Sequence, residues 1–297
     1  MISEQALKDR LQTIAKEKEI HFNACWKQLL LERFLARLSR SSHVDKFIFK
    51  GGFLLSFLMK IGRETVDLDF LLTRMNAETD ALKKVFQEIV SVTLDDGFTL
   101  SFESIELLSQ PHMEYPGYRT TLKTSFGKMR DKIHVDVGIG DIVEPQNKML
   151  KLSEYSGKPF FEESISLLVY PIETIFAEKL ETVLSKGSRN SRMKDFHDLI
   201  LLLRNTSIGN SKTLHEDVKK TFENRGTPLK HIEFDEEGLK ALQQLWTAHL
   251  RGLGDIAKEL DLPEKIITAI DTINSSINIS KMSTANWQND NKTRKVR

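Results

Sequence analysis

The segment KGGFLLSFLMKIGRETVDLDFLL, residues 50–72, is an apolar run interrupted by two adjacent glycines and by two aspartates in the pattern D-x-D. Its last part, VDLDFLL, is rich in strand-forming residues, whereas aspartate is a poor strand former. Side chains alternate between the two faces of a strand, so we expect the apolar residues, Val66 among them, to face the core. Asp67 and Asp69 then share the opposite face. Residues that break a local structural preference in this way are often functional.

A second strand pattern with a carboxylate follows at residues 132–140, KIHVDVGIG. Its alternation places Asp136 on the face opposite the core, together with His134. If this strand neighbours VDLDFLL in one sheet, three carboxylates converge, and such oxygen ligands suit Mg²⁺ or Mn²⁺. Two such ions can clamp the attacking and leaving oxygens of a phosphoryl displacement. A bare D-x-D on a solvent-facing strand is common, however, and carries little weight by itself.

The glycine pair Gly51-Gly52 lies between a short predicted strand, residues 47–49, and a short predicted helix. Glycine lets backbone N–H groups approach an anionic phosphate near a helix N-terminus, although a plain turn would have the same composition. Arg63 precedes the carboxylate strand, where it would either bind a phosphate or form a salt bridge to one of the aspartates.

The rest of the chain indicates an α/β head followed by a helical half. Apolar spacing predicts helices over residues 4–40, and NAETDALKKVFQEIVSVTL predicts an amphipathic helix capped by Asn76 or Thr79. Strand patterns at 98–107, 118–126 and 132–140, joined by short turns, predict an antiparallel meander. From Pro171 onward the patterns are almost exclusively helical. We therefore predict an α/β domain over 1–165, a helical domain over 166–280 and a polar, flexible tail over 281–297.

Composition limits the class of protein. The 297 residues are 40% hydrophobic and 29% charged, with a formal net charge of +1, so a nucleic-acid surface would have to be local. The single cysteine, Cys25, excludes an internal disulfide and suits a reducing compartment. The N-terminus lacks the apolar core of a signal peptide, and no stretch approaches the length of a membrane span. We therefore expect a soluble, cytoplasmic protein without a membrane partner.

Lys179 is the most informative residue of the helical half. Heptad spacing places it on the apolar stripe of residues 172–186, where a lysine either extends its head group outward or is held against an anion. Asp195 and Asp198 begin the next predicted helix, where carboxylates favour the helix dipole and could be simple caps. The connecting segment SKGSRNSRMK is basic, as suits phosphate or RNA but also a solvated loop. His134 and His197 match no zinc spacing and are interpreted as structural.

Four motifs together resemble those of the AbiEii/AbiGii-type nucleotidyltransferase toxins, which include the mycobacterial MenT proteins. These motifs are KGGFLL…GRETVDLDF, IHVDVGIGDIV, YPIETIFAEKL and RMKDFHDL, and the resemblance covers roughly residues 45 to 205. It implies an α+β fold, with the mixed sheet and flanking helices of the nucleotidyltransferase superfamily, followed by an α-helical C-terminal domain that completes the active site. One departure is Phe53, where many relatives have threonine or serine after the glycines; Ser56 could replace that contact.

The resemblance also implies roles for the residues singled out above. Asp67 and Asp69 would bind the metal ion, with Asp136 as the third carboxylate, able to help deprotonate an acceptor hydroxyl. The triphosphate of the NTP would be bound by residues of the first and third motifs: Lys50, Gly51, Gly52, Ser56, Arg63 and Lys179. A carboxylate from the helical half would complete the site, with Asp195 preferred over Asp198.

The implied function is Mg²⁺- or Mn²⁺-dependent transfer of a nucleoside monophosphate from an NTP to an RNA acceptor, with the 3′ end of tRNA as the favoured target. Blocking that end would stop translation and arrest growth, in a toxin–antitoxin system that defends bacteria against phage. A cognate antitoxin protein is then a partner. The alternatives are transfer to a protein hydroxyl and a non-catalytic module that binds nucleotide or RNA.

Overall fold

The computed structural model describes residues 2–74, 78–108, 117–206, 208 and 212–277, with only the backbone of residue 212. The chain divides into two compact units, Met1–Pro171 and Ile172–Arg297. Within the described ranges, no helix is both long enough and apolar enough to cross a membrane. The predicted tail, 281–297, lies outside the described residues.

The first unit is built on a seven-stranded mixed sheet in the order β3-β4-β5-β2-β1-β9-β6. Strands β3, β4 and β5 form the predicted antiparallel meander, and β5 then runs parallel to β2. β1 pairs antiparallel with β2 and parallel with β9. The strands of the sheet are β1 Phe47–Lys50, β2 Asp67–Leu72, β3 Phe98–Leu108, β4 Gly117–Phe126, β5 Met129–Gly138, β6 Gln146–Lys151 and β9 Ser164–Val169. Strands β7 Glu154–Tyr155 and β8 Lys158–Pro159 form a separate two-stranded antiparallel sheet.

Helices cover one face of this sheet and form the core with it. They are α1 Glu4–Glu17, α2 Phe22–Arg40 and α4 Thr79–Ser91, while the short α3 Gly51–Leu58 connects β1 towards β2. On α2, Phe34 packs against Phe70 of β2 and Phe86 of α4, with ring centroids 6.3 and 6.1 Å away. Burial of such large aromatic surfaces is a principal source of stability. The predicted α+β fold, a mixed sheet with flanking helices, is confirmed.

Two local predictions need correction. Val66 was expected on the core face, but β2 begins at Asp67, so Val66 precedes the strand alternation and its side chain is 53% exposed. Thr79 was a candidate cap of α4, yet it is the first helical residue, and Glu78 takes the N-cap position without a capping hydrogen bond from its side chain. Asn76, the other candidate cap, lies outside the described residues. Strands β6 and β9 were not anticipated.

The second unit is helical throughout its described part, as predicted. Helix α6 is apolar almost all round and buries nearly every residue between Met193 and Leu202, which fits a position at the centre of the unit. Trp246 of α8 is fully buried, and its indole N–H donates to the carbonyl of Pro263 at 2.7 Å. The helices are α5 Ile172–Lys186, α6 Met193–Asn205, α7 Lys212–Arg225, α8 Glu236–Leu253, α9 Ile256–Glu259 and α10 Ile266–Ser276.

Candidate active site

A continuous row of charged residues crosses five neighbouring strands of the sheet. In consecutive cross-strand pairs, Glu106 lies opposite Arg119, Arg119 opposite Asp136, Asp136 opposite Asp69, and Asp69 opposite Lys50. Residues directly opposite one another present their side chains on the same face. We call these five residues the charged row. It brings together three residues predicted from sequence, Lys50, Asp69 and Asp136.

Asp67 lies next to the charged row on the same face of β2. Its cross-strand partner is His134, as Asp136 is the partner of Asp69. The intervening residue Leu68 is fully buried in the core, whereas Asp67 and Asp69 are half-buried. The convergence of Asp67, Asp69 and Asp136 on one face, expected if the two strands were neighbours, is therefore what the register produces.

Gly51 is the first residue of α3 and adopts a φ of +78°, which other residues rarely accept. A Cβ atom there would overlap the carboxylate of Asp69. A Cβ on Gly52 would lie 2.8 Å from a guanidinium nitrogen of Arg63, so that arginine packs directly against the glycine pair. Gly51 is therefore required for the close approach of Asp69, whereas a Cβ on Gly52 would meet only the flexible end of the Arg63 side chain.

Gly51→Ala is expected to lower stability and impair the carboxylate face, because the new methyl group must displace Asp69. A matched control is Gly157→Ala, since Gly157 has a φ of +71° with nothing within 4 Å of its added Cβ. Left-handed strain alone costs about 1–2 kcal/mol at either position. Thermal unfolding should show a larger loss for Gly51→Ala; equal losses in the two variants would mean that Asp69 moves aside freely.

Asp136 is held by an arginine that the sequence did not single out. Nε and one terminal nitrogen of Arg119 each donate to a different oxygen of Asp136 at 2.7 Å. These hydrogen bonds raise the pKa of Arg119, and the charges of Asp136, Asp67 and Asp69 raise it further. The guanidinium therefore interacts electrostatically with all three carboxylates. Only the register of β4 against β5 identifies Arg119 as the partner of Asp136, and that register could not be predicted from the sequence.

The donor set fits a divalent cation in part. Asp67 and Asp69 offer carboxylate oxygens at i and i+2 on a rigid strand, the chemistry that Mg²⁺ and Mn²⁺ prefer. Asp136 is committed to Arg119 through both oxygens. Accordingly, the part of the chain that the structure describes contains no group of three such side chains arranged to hold a metal ion. The three-carboxylate metal site is thus not assembled in this arrangement and stays a prediction.

Lys50 ends β1 and caps α3, so its side chain belongs to both the sheet and the glycine turn. Its ammonium donates to Asp141 at 3.2 Å and to the hydroxyl of Tyr170 at 3.3 Å, and it lies 4.8 Å from the Tyr170 ring centroid. Asp141 and Tyr170 lie within the second and third sequence motifs, which predict no role for either residue. Both help to fix the position of the Lys50 ammonium.

The position of Phe53 explains how the chain departs from the family motif. Phe53 is buried and packs edge-to-face against Phe57, with ring centroids 5.2 Å apart, so it belongs to the core. Ser56 is exposed, and its hydroxyl donates to the carbonyl of Phe53 at 2.7 Å. Ser56 is therefore accessible, but its hydroxyl bonds the helix backbone.

In the helical unit, Lys179 is held against two carboxylates. Its ammonium lies 3.2 Å from Asp195 and 2.7 Å from Asp198, and its side chain is 12% exposed against 1% and 0% for theirs. Asp195 also accepts from Nε of Arg192 at 2.8 Å. Lys179 is thus paired with anions instead of extending into solvent, and Asp195 and Asp198 are more than helix caps.

The remaining polar features have structural explanations. His134 lies 3.2 Å from the hydroxyl of Thr121, and the buried His197 lies 2.9 Å from His249. Both distances suit hydrogen bonds of the structural role predicted for these residues. Of the basic segment before α6, the charged residues Lys186, Arg189, Arg192 and Lys194 are all exposed.

The chain is similar to known proteins over most of its length. The profile of the family described as Nucleotidyl transferase AbiEii toxin, Type IV TA system, matches residues 33–269. Among solved structures, MenT4, a nucleotidyltransferase toxin from Mycobacterium tuberculosis, is 14% identical, with a TM-score of 0.54 over 92% of this chain and 91% of that one. No curated protein matches.

Two Helicobacter pylori structures are also similar. A candidate nucleotidyltransferase is 11% identical, with a TM-score of 0.48, covering 89% of this chain and 97% of that one. JHP933 is 12% identical, with a TM-score of 0.46, covering 88% and 93%. The similarity to MenT4 supports the fold, whereas the family profile spans most of the chain, both units included. The protein therefore belongs to the AbiEii family of nucleotidyltransferase toxins of type IV toxin–antitoxin systems.

Proposed function

We propose that the protein transfers a nucleoside monophosphate from an NTP to a hydroxyl of RNA, with the 3′ end of tRNA as the favoured acceptor. The observation that carries this proposal is the alignment of Asp69 and Asp136 on adjacent strands, with Asp67 beside them and Gly51 against Asp69. A carboxylate face beside a glycine pair at a helix N-terminus suits the chemistry of nucleotidyl transfer. Family membership supports the same reaction class.

The reaction makes one P–O bond and breaks another. The acceptor oxygen attacks the α-phosphorus of the NTP, and the bond to the departing pyrophosphate breaks. A bound Mg²⁺ or Mn²⁺ would supply neutralisation of the phosphate charge and alignment of the two oxygens. Asp67, Asp69 and Asp136 would hold that ion, and Asp136 would also help to deprotonate the acceptor hydroxyl.

Other residues would position the triphosphate. Backbone N–H groups at Gly51 and Gly52 would face its oxygens, since the glycines leave the backbone accessible there. Lys50 and Arg63 would contribute positive charge beside the glycine turn, and Ser56 a hydroxyl if it leaves its bond to Phe53.

The helical unit would contribute Lys179 as a further contact to the triphosphate. Asp195 would be the carboxylate that holds Lys179 in position, with Asp198 as the other candidate. Support for these roles comes from the third and fourth sequence motifs and from the ion pairs within the unit.

The biological consequence follows from the acceptor. Nucleotides added to the 3′ end of tRNA would prevent aminoacylation, stop translation and arrest growth in the cytoplasm. The type IV toxin–antitoxin family implies a cognate antitoxin partner that counteracts this effect. We infer that the system serves as abortive-infection defence against phage.

The direct test is a labelling experiment. Purified protein is incubated with Mg²⁺, total bacterial tRNA and each α-³²P-labelled NTP in turn, and the products are separated on a denaturing gel. Label on tRNA from one or two nucleotides is expected. Label on polypeptide instead would indicate transfer to a protein hydroxyl. Nucleotide binding without any labelled product would indicate a non-catalytic module and would contradict the proposal.

A further inference from the structure

Arg119 lies between two carboxylates of the charged row and is bound to one of them. Glu106 on β3 and Asp136 on β5 are its two cross-strand partners. Both oxygens of Asp136 accept hydrogen bonds from its guanidinium. Glu106 is exposed, whereas the side chain of Asp136 is only 20% exposed. The guanidinium thus occupies the carboxylate nearer to Asp69.

The charge pattern of the sheet indicates why Arg119 pairs with Asp136. Two lysines, Lys123 and Lys132, lie opposite each other on the same pair of strands, and Glu103 of β3 binds both, at 3.3 and 2.7 Å. Like charges directly opposite one another destabilise a sheet, and Glu103 offsets that repulsion. Asp69 and Asp136 form the corresponding acidic pair. Arg119 offsets their repulsion as Glu103 does for the lysines.

A divalent cation and Arg119 would therefore each neutralise the negative charge of Asp136. The two charge-assisted hydrogen bonds already use both oxygens of the carboxylate. A cation bound there would also be repelled by a guanidinium at hydrogen-bonding distance. The two cations consequently compete for Asp136, and one must leave when the other binds.

We propose that Arg119 is the resident counter-cation of the carboxylate face. It holds Asp136 until a divalent cation takes that carboxylate, and it then transfers to Glu106, its partner on the opposite side. Arg119 is a positioning residue in this scheme, because it acts by controlling Asp136. The inference rests on the proposed function for the identity of the cation, but it concerns binding and not turnover.

The test measures Mn²⁺ binding to the full chain by electron paramagnetic resonance, without nucleotide or RNA. Arg119→Gln is expected to lower the Mn²⁺ dissociation constant by up to about fivefold, on the scale of one exposed ion pair. Arg130→Gln is the matched control. Arg130 is an exposed arginine on β5, about 20 Å along the strand from Asp136, and its loss should leave the constant unchanged.

A double-mutant cycle separates competition at Asp136 from a general loss of positive charge. In the Asp136→Asn background, Arg119→Gln should raise Mn²⁺ affinity much less, because only the longer-range repulsion between the guanidinium and the cation remains. An equal gain with and without Asp136, or no gain in the single variant, would overturn the proposal. If Arg119→Gln is unfolded by circular dichroism, Arg119→Lys is measured instead, and a smaller gain in Mn²⁺ affinity is expected, because lysine loses the two-pronged geometry but keeps the charge.

The role of Glu106 has its own measurement. Glu106→Gln should weaken Mn²⁺ binding in the wild-type background and leave it unchanged once Arg119 is glutamine. Weakening in both backgrounds would overturn the transfer to Glu106. None of these Mn²⁺-binding measurements needs an RNA acceptor. If the double-mutant cycle gives the expected result but no label appears on RNA, only the proposed function is contradicted.

Discussion

Replacing Asp67 with asparagine is expected to reduce nucleotide transfer to RNA by about 10²–10³-fold or more, the scale of losing one charge-stabilising group from an active site. Asparagine keeps the shape of the side chain and removes the negative charge that would hold the cation. Asp67 is half-buried at the start of β2, on the face away from the aromatic core. We therefore expect the melting temperature to change little.

The measurement is α-³²P label on tRNA per unit time, together with thermal unfolding followed by circular dichroism. Asp95→Asn is the matched control, because Asp95 is exposed in the turn before β3 and lies outside the charged row. It should retain full activity. If Asp67→Asn unfolds at 25 °C, the carboxylate is structural; if it remains active, the metal-binding role of Asp67 is wrong.

The sequence predicted much of the first unit because its strands obey simple alternation. In β5, Ile133, Val135 and Val137 are buried and Asp136 is not, as the pattern required. Strand β9 was missed although it is as long as β2, because it pairs in parallel with β1, a partner distant in sequence. Long-range parallel pairing leaves little local trace.

The site could be predicted only as far as spacing reveals it. The D-x-D pattern and the glycine pair identified Asp67, Asp69 and Gly51 from local sequence. Arg119 could not be found this way, because its meaning comes from the register of β4 against β5. A single arginine in a strand belongs to no recognisable motif. The pairing of Arg119 with Asp136 is visible only in the three-dimensional sheet.

For Lys179, the motif predicts a contact to the triphosphate, but the burial of its ion pairs is equally consistent with a structural role. Its ion pairs with Asp195 and Asp198 are almost fully buried. Removing one member of a buried pair leaves the other charge without compensation, which costs about 3–5 kcal/mol. A loss of activity in Lys179→Ala would therefore not distinguish a triphosphate contact from a structural ion pair.

Lys179→Met is accordingly expected to lower the free energy of unfolding by about 3–5 kcal/mol and to abolish transfer. Adding Asp198→Asn should restore most of the lost stability, because it neutralises the carboxylate 2.7 Å from the missing ammonium. Asp195 still has Arg192 as a partner at 2.8 Å. Chemical unfolding and tRNA labelling, measured on the same preparations, give the two quantities separately.

The double variant then decides between the two roles of Lys179. A stable but inactive Lys179→Met/Asp198→Asn protein is the expected result, because methionine fills the space of lysine without offering a charge to the triphosphate. Asp198→Asn alone should keep transfer if Asp195, which holds Lys179 at 3.2 Å, is the carboxylate that completes the site. Loss of transfer in this stable single variant would assign that role to Asp198. Recovery of transfer together with stability would show that Lys179 serves only the packing of α5 against α6, and its assignment to the nucleotide would be withdrawn.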